Sequence, residues 1–160
     1  MELSKNQSPQ NFNELGLSPW LLEAIASLEF AAPYPIQSQA IPEIIKGKDV
    51  LGIAKTGSGK TASYILPILQ RLSEENWDLP NRHIASLVIV PTRELALQVH
   101  EVCLAFTKHA MQNIKTMAVY GGVSINPQMI KMQGVQLLIA TPGRLLDLID
   151  AKALSLSALK

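Results

Sequence analysis

The chain has 160 residues, of which 48% are hydrophobic and 17% are charged. This length and hydrophobic content suit one ordinary domain with a real core, and they exclude an intrinsically disordered chain. A formal net charge of only +1 excludes a general electrostatic attraction to nucleic acid, so any contacts to RNA or DNA must be local.

The compartment is indicated by the cysteine content and by the N-terminus. Cys103 is the only cysteine, which rules out an internal disulfide and favours a reducing compartment. It falls on an apolar helical stripe, where we expect an inert core thiol. Residues 1–10 are polar and predicted to be flexible, with no signal peptide, and no stretch is long enough to span a bilayer. We therefore predict a cytoplasmic protein.

Two helices are predicted ahead of a glycine-rich loop. Ser18 followed by proline is typical of a helix start, and a later pair of prolines ends this helix. A second helix is predicted over residues 36–46, with Gly47 as its left-handed C-terminal cap. The apolar run 49–53 is predicted to be the first strand, and residues 62–72 the helix that follows the loop.

Three strand and helix pairs are predicted after the polar connection 74–82. The predicted strands are residues 84–90, 115–120 and 135–140, and the helices that follow them include Leu95, Asn126 and Leu145 near their starts. Each strand is almost entirely apolar, as expected where helices cover both faces of a parallel sheet. The predicted fold class is therefore α/β, with a mostly parallel β-sheet and helices on both faces.

The sequence AKTGSGKT, residues 54–61, is typical of a phosphate-binding loop. Its glycines let backbone N–H groups turn toward an anion at the N-terminus of the next helix. Lys60 would place its charge against the β- and γ-phosphates of a nucleotide, and the Thr61 hydroxyl would bind Mg²⁺. The candidate binding residues are Ala54, Thr56, Gly57, Ser58, Gly59, Lys60 and Thr61, with Lys60 and Thr61 the candidate catalytic residues and Thr61 the candidate metal ligand. Ala54 stands where the strict pattern has glycine.

Three further loops follow directly after predicted strands. Because the carboxyl ends of parallel strands meet at one edge of a sheet, we expect these loops to share a rim with the phosphate loop. Any one of them alone could be a simple turn. Together, their N–H groups, hydroxyls and arginines suit the successive phosphates of a polynucleotide. The candidate residues are Pro91, Thr92 and Arg93, then Gly121 and Gly122, then Thr141, Pro142, Gly143 and Arg144.

From residue 12 to about residue 150 the chain resembles the N-terminal RecA-like domain of the DEAD-box ATP-dependent RNA helicases. AKTGSGKT resembles motif I, PTRELALQ at 91–98 resembles motif Ia, the glycine pair at 121–122 resembles the GG element, and TPGR at 141–144 resembles motif Ib. PTRELALQ and TPGR are far more specific to this family than the phosphate loop. The resemblance implies one incomplete RecA-like domain over residues 11–160.

The resemblance also implies a function. It predicts an enzyme that uses ATP with Mg²⁺ to separate RNA strands locally or to remodel RNA–protein complexes. Its contacts would be to the RNA backbone, with little sequence specificity, and a second RecA-like domain would be its partner.

An adenine-recognition segment, residues 12–39, is implied by the same resemblance. Gln37 would hydrogen-bond the adenine edge, Phe12 would stack on the ring, and Phe30 belongs to the same segment. Two positions depart from the family pattern: Glu29 stands where the family favours glycine, and Tyr34 where it favours serine or threonine. The second departure replaces a small hydroxyl with a bulky phenol and therefore bears on adenine selectivity.

The 160 residues stop before the family's aspartate–glutamate pair, which holds Mg²⁺ and orients the attacking water. Because phosphoryl transfer depends on positioned charges, we expect this chain alone to bind ATP without appreciable hydrolysis. By the same resemblance, the strands beside the phosphate-loop strand are absent from these 160 residues, which would expose apolar surface and unpaired backbone groups. We therefore expect the isolated chain to be marginally stable or prone to aggregation. Three alternatives stay open: a non-hydrolysing nucleotide- or RNA-binding module, another P-loop enzyme such as a small-molecule kinase, and DNA in place of RNA.

Overall fold

A computed structural model describes residues 11–75, 80 and 82–159 of the chain. The chain divides into two compact units, Met1–Arg71 and Leu72–Lys160. The predicted flexible residues 1–10 and much of the predicted connection 74–82 lie outside the described residues.

The first unit is built from helices. A short 3-10 helix at Phe12–Leu15, which the sequence did not predict, is followed by α1 (Pro19–Ser27), α2 (Pro35–Ile45) and most of α3 (Lys60–Glu74). Gln70 of α3 is buried, and its side chain hydrogen-bonds the backbone just before α1. Its Oε1 accepts the Ser18 N–H at 2.9 Å, and its Nε2 donates to the Gly16 carbonyl at 3.2 Å.

Helices α1 and α2 end in the same left-handed cap. The residue beyond each cap has a positive φ, 58° at Glu29 and 76° at Gly47. In each cap, the N–H of the residue with positive φ donates to the carbonyl three residues earlier. The N–H of the residue after it donates to the carbonyl five residues earlier, and all four bonds measure 2.9 to 3.2 Å. These two bonds are the Schellman pattern. The cap predicted at Gly47 is confirmed, whereas α1 places a glutamate in a conformation that favours glycine.

The predicted first strand is wrong. Residues 49–53 pair with no strand in the described part of the chain. Leu51 is 87% exposed and Ile53 is 85% exposed. A strand needs a neighbouring strand to pair its N–H and C=O groups, and no strand of the described sheet pairs with this segment. The exposed side chains agree with the expectation of uncovered apolar surface at this segment.

The second unit contains a three-stranded parallel sheet. Its strands β1 (Ser86–Ile89), β2 (Thr116–Val119) and β3 (Leu137–Ala140) lie in the order β1-β3-β2, with Leu137 opposite both Ser86 and Thr116. They alternate with α4 (Arg93–Thr107), α5 (Asn126–Lys131) and α6 (Pro142–Asp150). The central strand β3 is buried throughout, as a continuous apolar run in a parallel sheet predicts. The α/β class and the parallel sheet are confirmed.

The core of the second unit packs strand residues against α6 and its flanks. Ile84, Leu138 and Leu148 belong to this core and are fully buried. Cys103 is also fully buried, on α4. Burial raises the pKa of the Cys103 thiol to about 12. Since the thiolate is the reactive form, this environment supports the prediction of an inert thiol.

Candidate functional site

The phosphate loop has the backbone that its glycines predict. Gly57 and Gly59 have left-handed φ angles of 77° and 81°, and α3 begins at the next residue, Lys60. The Lys60 ammonium donates to the carbonyl oxygens of Ala54 and Lys55, inside the loop. Left-handed glycines before a helix N-terminus, with a lysine charge within the loop, fit a phosphate group.

The hydroxyl residues of the loop differ in their surroundings. Ser58 donates its hydroxyl to the Lys55 carbonyl at 2.7 Å, and Thr56 is exposed. Thr61 is half-buried in the first turn of α3, next to Lys60. A hydroxyl oxygen at this position is a suitable ligand for a hard cation such as Mg²⁺ bound with phosphates.

Gln37 joins the predicted adenine segment to the phosphate loop. Its side chain is fully buried. Its Oε1 accepts the Tyr34 N–H at 2.9 Å, and its Nε2 donates to the Gly59 carbonyl at 3.1 Å. A Cβ at Gly59 would lie 2.4 Å from Nε2 of Gln37, so only glycine fits there. The amide assigned to adenine thus already uses one donor and one acceptor within the protein.

A groove of about 450 Å³ lies beside this link, lined by residues 28–32 and Tyr34. Phe30 and Tyr34 are 38% and 50% exposed. Phe12 is buried and meets Phe30 edge to face, with ring centroids 6.4 Å apart. In this structure Phe12 packs behind the groove and has no open ring face for stacking, whereas the ring of Phe30 lines the groove.

Motif Ia contacts the GG loop, which we define as residues 120–124. Thr92 caps α4, since its Oγ1 accepts the Leu95 N–H at 3.2 Å. The next residue, Arg93, is exposed, and its guanidinium lies 4.7 Å from the ring centroid of Tyr120. This is a cation–π contact to the residue that begins the GG loop.

Gln128 of α5 fixes the same loop from within the fold. Its Oε1 accepts the Tyr120 N–H at 3.2 Å, and its Nε2 donates to the carbonyls of Tyr120 and Ser124 at 3.3 and 3.4 Å. Gln128 is buried. Neither Gln128 nor Tyr120 is predicted as a site residue from the sequence, because a single glutamine on a short polar helix carries no signal of its own.

Arg144, which the sequence predicts to contact RNA, holds the GG loop in this structure. Its Nη2 donates to the Val123 carbonyl at 2.7 Å, and its Nε donates to Asp147 one turn along α6 at 3.3 Å. The side chain is 7% exposed, and its Nη1 is buried with no partner among the described residues. The bond to the Val123 carbonyl holds the guanidinium against the GG loop, so Arg144 is a positioning residue in this structure.

The remaining loop residues present open backbone. Nothing lies within 4 Å of a Cβ placed at Gly121, Gly122 or Gly143. Pro91 and Pro142 are exposed, and Thr141 is half-exposed. Three of the four predicted loops therefore lie at the carboxyl ends of β1, β2 and β3 in the second unit, tied together through the GG loop. The phosphate loop belongs to the first unit.

Two other kinds of feature are absent from the described residues. Among them, no three His, Cys, Asp or Glu side chains are grouped so that they could hold a metal ion. None of the helices in the described ranges combines the length and apolar character needed to cross a membrane.

Comparisons with known proteins agree with these motifs. Residues 34–160 match the DEAD/DEAH box helicase family. The "ATP-dependent RNA helicase DeaD" of Haemophilus influenzae is 44% identical over 93% of the chain, and that of Escherichia coli K12 is 46% identical over 92%. A crystal structure of a DEAD box protein from Methanococcus jannaschii has a TM-score of 0.84 and 36% identity, covering 95% of this chain and 40% of that one. The chain spans about a quarter of the length of the two DeaD proteins. The chain therefore belongs to the DEAD/DEAH box helicase family and has the fold of its RecA-like domain.

Proposed function

We propose that this chain is the ATP- and RNA-binding part of an ATP-dependent RNA helicase, which separates RNA duplexes locally or remodels RNA–protein complexes. The observation that carries the proposal is the contact of Arg93 with Tyr120, because it joins two candidate RNA-binding loops at the carboxyl end of a parallel sheet. The named activity of the DeaD relatives supports it. A cytoplasmic location and a second RecA-like domain as partner are part of the same proposal.

The phosphate loop would bind the triphosphate of ATP. Bound ATP and Mg²⁺ supply the phosphoryl group and the charge that neutralises it. Lys60 would exchange the carbonyls of Ala54 and Lys55 for phosphate oxygens, and Thr61 would bind the metal. Hydrolysis by the 160 residues alone is expected to be negligible, because only Lys60 and Thr61 are assigned to the transferred group.

ATP binding can be tested with two lysine variants of the same loop. Lys60→Ala should weaken the binding of a fluorescent ATP analogue at least about tenfold, since it removes a charge-assisted contact. Lys55→Ala is the control, because Lys55 contributes its carbonyl to the loop and its side chain is exposed. Equal losses for the two variants would contradict the assignment of Lys60. ATP turnover in the same samples tests the expected lack of hydrolysis.

The groove beside Phe30 would bind the adenine base. Stacking of a base on an aromatic ring contributes about 1–3 kcal/mol in nucleic-acid binding. Phe30→Ala should therefore weaken ATP binding about fivefold or more and leave the binding of inorganic triphosphate unchanged. If both ligands lose affinity equally, the variant has disturbed the phosphate loop and Phe30 has no direct contact with the base.

The rim in the second unit would bind single-stranded RNA through its phosphates. Arg93 supplies an exposed positive charge, and the open glycines let the RNA backbone approach closely. Contacts of this kind explain how a chain with a net charge of +1 could bind RNA without a basic field.

RNA binding can be tested by comparing the two ends of α4. Arg93→Ala should weaken oligouridylate binding and lower the slope of log affinity against log salt by nearly one. Lys108→Ala removes one positive charge at the opposite end of the helix, about 22 Å away, and should do neither. An equal change of slope in both variants would refute the rim as the RNA site. RNA-independent ATP turnover by the longer protein would refute the helicase proposal as a whole.

A further inference from the structure

The second unit has a cavity of about 440 Å³ beside β2. Its walls come from α4, β2, the GG loop and α5. Strand β2 is an edge strand, since β3 is its only partner in the described part of the sheet. The cavity therefore lies against an open sheet edge, and this size is within the usual range for ligand pockets.

Alternate residues of β2 turn their backbone groups toward this edge. The carbonyls of Lys115 and Val119 accept N–H groups from the β3 segment, at 3.3 and 3.1 Å. Because a parallel ladder uses every second residue of a strand, the N–H and C=O groups of Thr116 and Ala118 point to the open side. They point to the side where the cavity lies.

Side chains already occupy the two ends of this edge. His100 donates its Nε2–H to the Thr116 carbonyl at 3.2 Å, and the Gln128 amide pairs with both backbone groups of Tyr120. Between them, the N–H and C=O groups of Ala118 have no hydrogen bond outside the ladder among the described residues. One donor and one acceptor thus remain open at the cavity wall.

The rest of the wall is apolar with a positive rim. Leu97, Met117 and Pro127 line the cavity, together with Lys131 at its edge and no carboxylate from the described residues. Lys131 is exposed, and no hydrogen bond or ion pair of its side chain is found within the described ranges. An occupant should therefore carry an apolar group and a negative charge.

We propose that this cavity is a docking site for an acidic, extended peptide segment of a partner protein, which adds to the edge of β2 at Ala118. In an antiparallel pair, two opposite residues exchange both of their backbone hydrogen bonds. One peptide residue can therefore satisfy both open groups of Ala118. Its apolar neighbours would enter the cavity, and an acidic residue would reach Lys131.

The experiment uses a blocked pentapeptide in which glutamates flank three valines, titrated into the ¹⁵N-labelled full chain. We expect saturable shifts of the Ala118 amide signal and of its neighbours in the cavity. N-methylation of all three valines should weaken binding at least about fivefold, because it removes the peptide donor. Replacing the glutamates by lysines should weaken it about threefold to fivefold.

A charge reversal on the protein provides the matched test. Lys131→Glu should favour the lysine peptide over the glutamate peptide, whereas Lys108→Glu, on an exposed residue outside the cavity, should leave the preference unchanged. The proposal is overturned if the N-methylated peptide binds as well as its parent, or if no peptide shifts Ala118 at millimolar concentration. It is also overturned if oligouridylate displaces the peptide from the cavity and shifts the same signals, because the cavity would then be an RNA site.

Discussion

Replacement of Glu29 by glycine should stabilise the first unit. Glu29 has a φ of 58° in the Schellman cap of α1, a region in which a residue with a Cβ is strained by about 1–2 kcal/mol. Glycine removes that strain but has more freedom in the unfolded chain, which costs about 0.5–1 kcal/mol. The expected net gain is about 0.5–1 kcal/mol. In urea unfolding, with a slope of about 2 kcal/mol/M, this corresponds to a shift of the midpoint by about 0.3–0.5 M.

Two controls separate the backbone from the charge. Glu29→Ala keeps the left-handed strain and removes a negative charge from a helix C-terminus, so it measures the electrostatic part alone. Gly47→Ala makes the reverse change in the equivalent cap of α2, where nothing lies within 4 Å of the new Cβ, and it should cost about 1 kcal/mol. Backbone strain at Glu29 is refuted if Glu29→Gly is no more stable than Glu29→Ala while Gly47→Ala shows its expected loss.

Three further outcomes are expected. The double variant Leu51→Lys and Ile53→Lys should reduce aggregation, measured by light scattering. It should change the free energy of unfolding by less than about 0.5 kcal/mol, because both side chains are already exposed. A large destabilisation would mean that these side chains pack against the rest of the protein. Arg144→Met should lower stability by about 1–3 kcal/mol in urea unfolding and also weaken RNA binding through the freed GG loop, and unchanged stability would contradict its positioning role. Burial raises the pKa of Cys103 to about 12 from an ordinary value of 9.0. The contribution of the neutral thiol to the free energy of unfolding is therefore complete below pH 9 and is lost as the pH rises toward 12. Between pH 8 and pH 10.5 the free energy of unfolding of the unsubstituted chain should fall by about 2 kcal/mol more than that of Cys103→Ala. Equal decreases in the two proteins would show that the thiol is accessible to solvent.

The sequence predicts the elements of this fold well wherever local pattern and burial agree. The run 135–140 is apolar at almost every position, and it forms the fully buried central strand β3. The run 49–53 has a similar pattern but forms no strand, because strand formation also needs a neighbour for the backbone groups. The periodicity of a single segment contains no information about whether such a neighbour is present.

The sequence predicts the backbone of the candidate site but does not predict the contacts that its side chains make. Left-handed glycines follow directly from the loop pattern, since Gly57 and Gly59 are the residues that adopt such angles freely. The direction of a long side chain does not follow from a motif. The side chain of Arg144 could equally have faced solvent from the motif alone. It faces the protein because its guanidinium hydrogen-bonds Asp147 and the Val123 carbonyl. Such contacts depend on the packing of three separate segments.

The hydrogen bond from Gln37 to the Gly59 carbonyl has a thermodynamic consequence for any nucleotide bound here. It links the segment beside the base groove directly to the phosphate loop within the first unit. If occupancy of one end changes the affinity of the other, reciprocity requires the same factor in both directions. Adenosine should then alter the affinity for inorganic triphosphate as much as triphosphate alters that for adenosine. Loss of the Gln37 amide would reduce this factor toward one, even if each ligand still bound alone.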